Sequence, residues 1–261
     1  MDAQTPLSAY EQAQIEKIRA WRHQPPGVVE QAAGFVLRPL SKLIATIVPA
    51  SAIETLLRAS DWLAERAVRT KVDDEAPLEL RDEEAASVRN WAIAYACGEG
   101  AVAGAVGLAS LPVDIPALVT LSLRTIRRVG IAYGYDGSSE EEKRFVYAIL
   151  SVAGANSMRQ KQAGLETLHG IETTLLAESW AGLADRAAQR IVRAETVLLL
   201  IRDVAEQLGV NLTRRKALAA VPVLGAAIGA AMNGWYLRDV AAAAQNAYQE
   251  RWLRDRGRIQ D

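Results

Sequence analysis

The chain is poor in the residues that build most catalytic centres. It has one cysteine, Cys97, and two histidines, His23 and His169. One thiol excludes a disulfide framework and a cysteine-rich zinc site, and two histidines leave little for metal or triad chemistry. Aromatic residues make up only 6%. No alternating runs of Val, Ile and Thr stand between turn residues, which excludes a β-sandwich or barrel and leaves helices. A surplus of either charge is missing as well, with Lys+Arg at 30 and Asp+Glu at 31 in 261 residues. The basic excess of a dedicated nucleic-acid binder is therefore absent. The polar stretch 1–22 has no continuous apolar core of a secretory leader, so the expected compartment is the cytoplasm. The P-loop, zinc-protease, nucleophile-elbow and EF-hand patterns do not occur, and the reading calls for no cofactor, no metal and no catalytic residue.

What is there is helix after helix. Ser8 with Glu11, and Ser139 with Glu142, have capping-box spacing. Pro25, Pro26 and Gly27 end the first run, and Gly134 supplies a stop after Tyr133. Residues 111–116 (LPVDIP) read as a turn, with the next helix starting at Pro116. The pattern predicts an all-α protein, a single domain of about ten helices around Gly/Ala-rich central hairpins. Residues 1–70 form N-terminal helices that pack on the core. Residues 71–79 (KVDDEAPLE) read as an exposed linker, and residues 82–256 as the main helical domain.

Two stretches are nearly free of charge, 101–123 and 217–237. They are rich in Ala and Gly, which gain little on transfer to lipid. A buried helical hairpin and shallow membrane embedding both remain open. Ala96, Gly100 and Gly104 lie four apart, as do Gly225, Gly229 and Asn233. Such glycine-zipper-like stripes let another helix backbone approach closely. Glu99 is the odd residue, sharing a helical face with Trp91, Tyr95, Val102 and Val106. A carboxylate there is costly unless paired. A hairpin centred near Val113 places Arg127 opposite it, with Arg124 and Arg128 within a turn. Glu99 is then a buried ion-pair partner or, unpaired, a functional acid.

Other features carry less. Residues 98–104 match G-x-G-x-x-x-G but lack the preceding strand of a dinucleotide site. Arg214, Arg215 and Lys216 stand beside the second apolar stretch, where a basic cluster can lie on anionic headgroups.

Residues 98–136, with glycine-spaced small residues, LPVDIP at 111–116 and YGYD at 133–136, resemble the bacterial EcsC family. So do VPVLGAAIGA at 221–230, Asn233 and YQERWL at 248–253. The resemblance covers roughly residues 82–253. It implies a membrane-transport context, since the family takes its name from a gene beside an ABC-transporter operon, and it supplies no mechanism.

The expected function is that of a non-catalytic helical interaction protein, peripheral on the inner face of the cell membrane. Its partner would be the membrane surface, through Arg214, Arg215 and Lys216, or a membrane protein complex; nucleic acid is not expected. The alternative is a binder of a lipid or other apolar molecule between the glycine-rich helices. Trp91, Tyr95 and Trp235 would line that site, with Glu99, Asp114, Arg124, Arg127 and Asn233 as polar anchors. A hydrolase using Glu99 and Asp114 as a carboxylate pair is a third reading. Their separation along one helix, about 20 Å, opposes it.

Overall fold

A computed structural model describes residues 6–26, 51, 54, 55, 57, 75–106, 111–135, 139–180, 200–205, 207, 208 and 225–259. Six helices have defined bounds: α1 (Ala9–His23), α2 (Leu78–Val106), α3 (Leu111–Ala132), α4 (Glu140–Gly154), α5 (Met158–Trp180) and α6 (Gly225–Asp255). Helical residues at 200–205, 207 and 208 belong to a seventh. The protein is all-helical among the described residues, with fewer helices there than the expected ten.

The ends of these helices follow local chemistry. Ser8 and Glu11 close a reciprocal capping box, Glu11 N–H to Ser8 Oγ at 3.0 Å and Ser8 N–H to Glu11 Oε2 at 2.7 Å. Ser139 caps α4 by accepting from the Glu142 amide at 3.1 Å. Gly134 follows α3 with φ at +94°, where a side chain would be strained.

The LPVDIP segment corrects the expected turn. It is the first part of α3, which begins at Leu111 rather than at Pro116. A proline costs nothing in a first turn, so Pro112 fits. Pro116 lies deeper and forfeits one backbone hydrogen bond, but the turn around it buries Ile115, Leu118 and Val119. Burying aliphatic side chains at about 1.5–3 kcal/mol each exceeds the cost of about 3 kcal/mol for one interior proline.

The long C-terminal helix α6 is the hub. It packs against α1, α2, α3 and α4, and α5 lies against α4. Helices α2 and α6 run antiparallel, because Asp82 meets Gln249 at one end and Cys97 meets Gly234 further along. Their shared face is small: Ala85, Ala92 and Ala96 on α2, with Val240, Ala243, Ala244 and Ala247 on α6, are all buried. Small side chains bring the two backbones close. Bulk comes from Ile115 and Ile126 on α3 and from Phe145, Ile149 and Leu150 on α4. One close approach is at Gly234, where an added Cβ would sit 2.5 Å from Cys97 Sγ. Ala96 is fully buried. The surroundings of Gly100, Gly104, Gly225 and Gly229 lie outside the described residues. No helix among the described residues is long and apolar enough to cross a membrane.

Candidate functional site

Two polar constellations stand out, at opposite extremes of burial. The first surrounds the C-terminal half of α6. Asp82, buried at the start of α2, accepts from the Tyr10 hydroxyl at 2.7 Å, from Gln249 Nε2 at 2.7 Å and from the Tyr133 hydroxyl. Burial and the Asp82 charge hold both tyrosines protonated well above the ordinary phenol range. The Tyr248 ring packs against Phe145 at 5.1 Å and Tyr135 at 5.6 Å. Arg251 covers the Tyr135 ring at 3.9 Å and pairs with Glu142 at 2.5 Å. Arg254 bridges Glu250, at 2.6 Å, and Glu172. Glu250 also receives Arg22 of α1 in a two-pronged contact at 2.5 and 3.1 Å.

Glu172 is the most stressed member. Its side chain is 3% exposed, and Oε1 has no hydrogen-bond partner among the described residues. Burial pushes its pKa up to about 8, against the pull of Arg254 and with help from the Glu250 charge. Lys161, at the start of α5, donates to the carbonyls of Trp21 and Gln24 at 2.5 and 2.9 Å. Burial lowers its pKa to about 8.

This network was not among the sequence-predicted site residues, although Tyr133, Tyr135, Tyr248, Gln249, Glu250 and Arg251 lie in the YGYD and YQERWL segments. A signal was present: Gln249, Glu250, Arg251 and Arg254 crowd one stretch of an otherwise Ala-rich helix. Among the described residues, no group of three or more His, Cys, Asp or Glu side chains could hold a metal ion.

The second constellation lies along the outer groove between α2 and α3. Trp91 and Tyr95 are 41% and 48% exposed. Their rings stack at 5.3 Å with planes 19° apart. Arg128 lies 5.1 Å from the centre of the Trp91 ring. One turn earlier on α3, Arg124 faces Tyr95 and opposes the rise of its hydroxyl pKa. That rise comes first from a hydrogen bond to Glu99. Neither Arg124 nor Arg128 is paired with a carboxylate among the described residues.

This geometry corrects the expected role of Glu99. It faces solvent, and its neighbour is the Tyr95 hydroxyl rather than Arg127. Two causes combine. Helix α3 already begins at Leu111, and the pairing is slid by about two helical turns from the expected register, with Arg124 level with Tyr95. The face of α2 that meets α6 is also the alanine face, so the large aromatics point outward. Arg127 turns away from the groove, and its charge acts on the buried Tyr248. Asp114 is half-buried in the first turn of α3. Trp235 is 45% exposed, so with Trp91 and Tyr95 it lines no interior pocket. Asn233 is buried, with its Oδ1 lacking a partner among the described residues. Arg214, Arg215 and Lys216 lie outside the described residues. The structure therefore gathers Trp91, Tyr95, Glu99 and Arg124, adds Arg128, and separates them from Arg127 and Asn233.

The model of the EcsC protein family matches residues 12–253. The chain belongs to this family. The match takes in most of α1 and nearly all of α6, so the buried network, apart from Tyr10 and Arg254, lies within the EcsC region. A relative, the uncharacterized protein YdbA of Bacillus subtilis (strain 168), is 28% identical over 182 residues. That alignment covers 70% of this chain and 61% of YdbA, so it spans less than two thirds of the relative's length. No solved structure matches the chain.

Proposed function

We propose that this EcsC protein docks peripherally on an anionic membrane surface through the groove between α2 and α3, without catalysing a reaction. The observation that supports this most is an exposed Trp–Tyr stack with Arg128 over its Trp91 ring and Arg124 beside Tyr95, neither arginine paired with a carboxylate among the described residues. Arginine without an internal partner is available to a phosphate, which it can hold with two hydrogen bonds. Trp and Tyr have apolar bodies and polar tips that suit the headgroup level of a bilayer.

The magnitudes favour a reversible contact. Each arginine near an anionic surface contributes about 1 kcal/mol, and partial burial of Trp91 and Tyr95 adds at most about 1.5–3 kcal/mol apiece. Such a sum recruits the protein without anchoring it irreversibly. Glu99 opposes the field, but its position against the Tyr95 hydroxyl keeps it to one end of the groove. The basic residues Arg214, Arg215 and Lys216 would add to attraction of the same sign.

Flotation with vesicles of phosphatidylglycerol and phosphatidylcholine, against phosphatidylcholine alone, tests this. Binding should require the anionic lipid and weaken as salt shortens the screening length toward about 8 Å. Arg124→Ala and Arg128→Ala should each reduce binding about fivefold, and Trp91→Ala should reduce it without changing the salt dependence. Equal binding to neutral vesicles, or no binding at low salt, overturns the proposal. In the second case a membrane protein would be the better partner.

A further inference from the structure

Helix α1 is attached to the body in an unusual way. Of its 15 residues only Glu11, Gln14, Ile15 and Ile18 are buried, and two of these are polar. Tyr10 and Trp21 pack half-buried against the core, and the remaining hold is polar and comes from four places: α2, α6, the segment beyond α6 and α5. Tyr10 reaches Asp82 on α2, Glu11 takes a two-pronged contact from Arg258 beyond α6, and Arg22 grips Glu250 on α6. Lys161 of α5 seizes the carbonyls at the helix's C-terminal end.

The body-side acceptors do not depend on these contacts alone. Asp82 keeps Tyr133 and Gln249 if Tyr10 leaves. Glu250 keeps Arg254 if Arg22 leaves. Removing α1 therefore strands neither buried carboxylate without a donor, which is the event that would otherwise unravel the core.

We propose that α1 is a strap that opens as a unit while α2, α3, α4 and α6 stay folded, its closure set chiefly by ion pairs and hence by ionic strength. When open, it exposes Asp82 on α2 and Glu250 on α6 together with its own Ile15 and Ile18. A low-stability segment of this kind has few buried apolar contacts and many partly exposed polar ones, as α1 has.

Hydrogen exchange of the full chain, read by mass spectrometry, tests the strap. In the wild type, α1 amides should exchange faster than those of α3 and α4. Going from low salt to about 1 M, where the screening length is about 3 Å, should cut α1 protection at least about tenfold and leave α3 and α4 unchanged. Arg22→Met and Arg258→Met should each mimic high salt. Protection of α1 equal to that of α3 and α4 and indifferent to salt overturns the proposal. So does loss of α1 protection only in step with α4. Should a variant unfold, α4 exchange reports it, and the wild-type salt series decides alone. Vesicle binding by the α2–α3 groove is a separate readout, so failure of one proposal leaves the other standing.

Discussion

The arginines around the C-terminal half of α6 and those on the outer face of α3 do opposite things. Arg22, Arg251 and Arg254 meet Glu250, Glu142 and Glu172 at close range, inside or at the edge of the core. Arg128 lies over the Trp91 ring and Arg124 acts on the Tyr95 hydroxyl, and among the described residues neither pairs with a carboxylate. The two regions share a residue type and differ in the partner the fold provides. A guanidinium already matched to a carboxylate is committed to the structure, because removing either member leaves a buried charge. One resting on an exposed ring costs the fold little to lose and stays available to an anion from outside. Exposure and pairing, rather than arginine content, separate the framework of this protein from its candidate surface.

The comparison predicts very unequal effects of mutation, and the largest lies at Arg254. Arg254→Met removes the cation that Glu172 and Glu250 share, leaving Glu172 buried with neither oxygen paired. The expected loss is about 3–5 kcal/mol, measured by denaturant unfolding at pH 9, above the Glu172 pKa of about 8, where that carboxyl is charged. Adding Glu172→Gln should recover part of it, because the stranded charge is gone. Additive losses would show that the network is not coupled and would blur the distinction between the two regions.

Next in size is the effect of pH. The Glu172 pKa is pushed up to about 8 in the folded protein from an ordinary 4.5. Between these values the native state holds a proton that the unfolded chain lacks, so stability falls as pH rises toward 8. The Lys161 pKa is lowered to about 8 from 10.5. Above 8 the unfolded chain holds the extra proton, so stability rises again with pH. The recovery ends near pH 10, where the raised tyrosines begin to act. Tyr133, Tyr135 and Tyr248 keep protons that unfolded tyrosines lose, and stability falls once more. Thermal unfolding from pH 5 to 10 should therefore show a minimum near pH 8. Glu172→Gln should flatten its acid side and Lys161→Met its alkaline side. A curve without that minimum would remove both groups from the account.

Much of the fold was legible in the sequence because its signals are local. The Ser8–Glu11 capping box, the Ser139 cap and the Gly134 stop depend on residues within four positions of one another, and each appears as the spacing dictates. The family was legible too, since its segments lie in order along the chain. The candidate site was only partly legible. Trp91, Tyr95 and Arg124 can be picked out as unusual, but which way they face depends on helix α6, more than a hundred residues away in the sequence. A reader expecting large side chains to mark the core chooses the wrong face. Here Ala85, Ala92 and Ala96 mark it, because close helix packing rewards small residues. The buried network was harder still, since Asp82, Tyr133 and Gln249 meet only in three dimensions.

Gly234 tests that explanation at an intermediate size. A Cβ there would come within 2.5 Å of Cys97 Sγ, so Gly234→Ala should cost about 1–3 kcal/mol by overpacking. Cys97→Ala removes the sulfur and should restore much of the loss in the double variant. No rescue would mean that the α2–α6 contact is held apart by something other than this pair.

The smallest expected effect is the one that most sharpens the contrast. Trp91 and Arg128 form a cation–π contact in water, and such exposed contacts are worth about 0.5–1 kcal/mol. Trp91→Ala and Arg128→Ala should each lower stability by no more than about 1 kcal/mol, and a double-mutant cycle should return a coupling inside that range. The same substitutions are expected to weaken vesicle binding severalfold, a disproportion that a framework pair such as Arg254–Glu172 cannot produce. A coupling of several kcal/mol would place Arg128 with the committed arginines of α6. The groove would then be a structural seam, and its exposed rings would need another explanation.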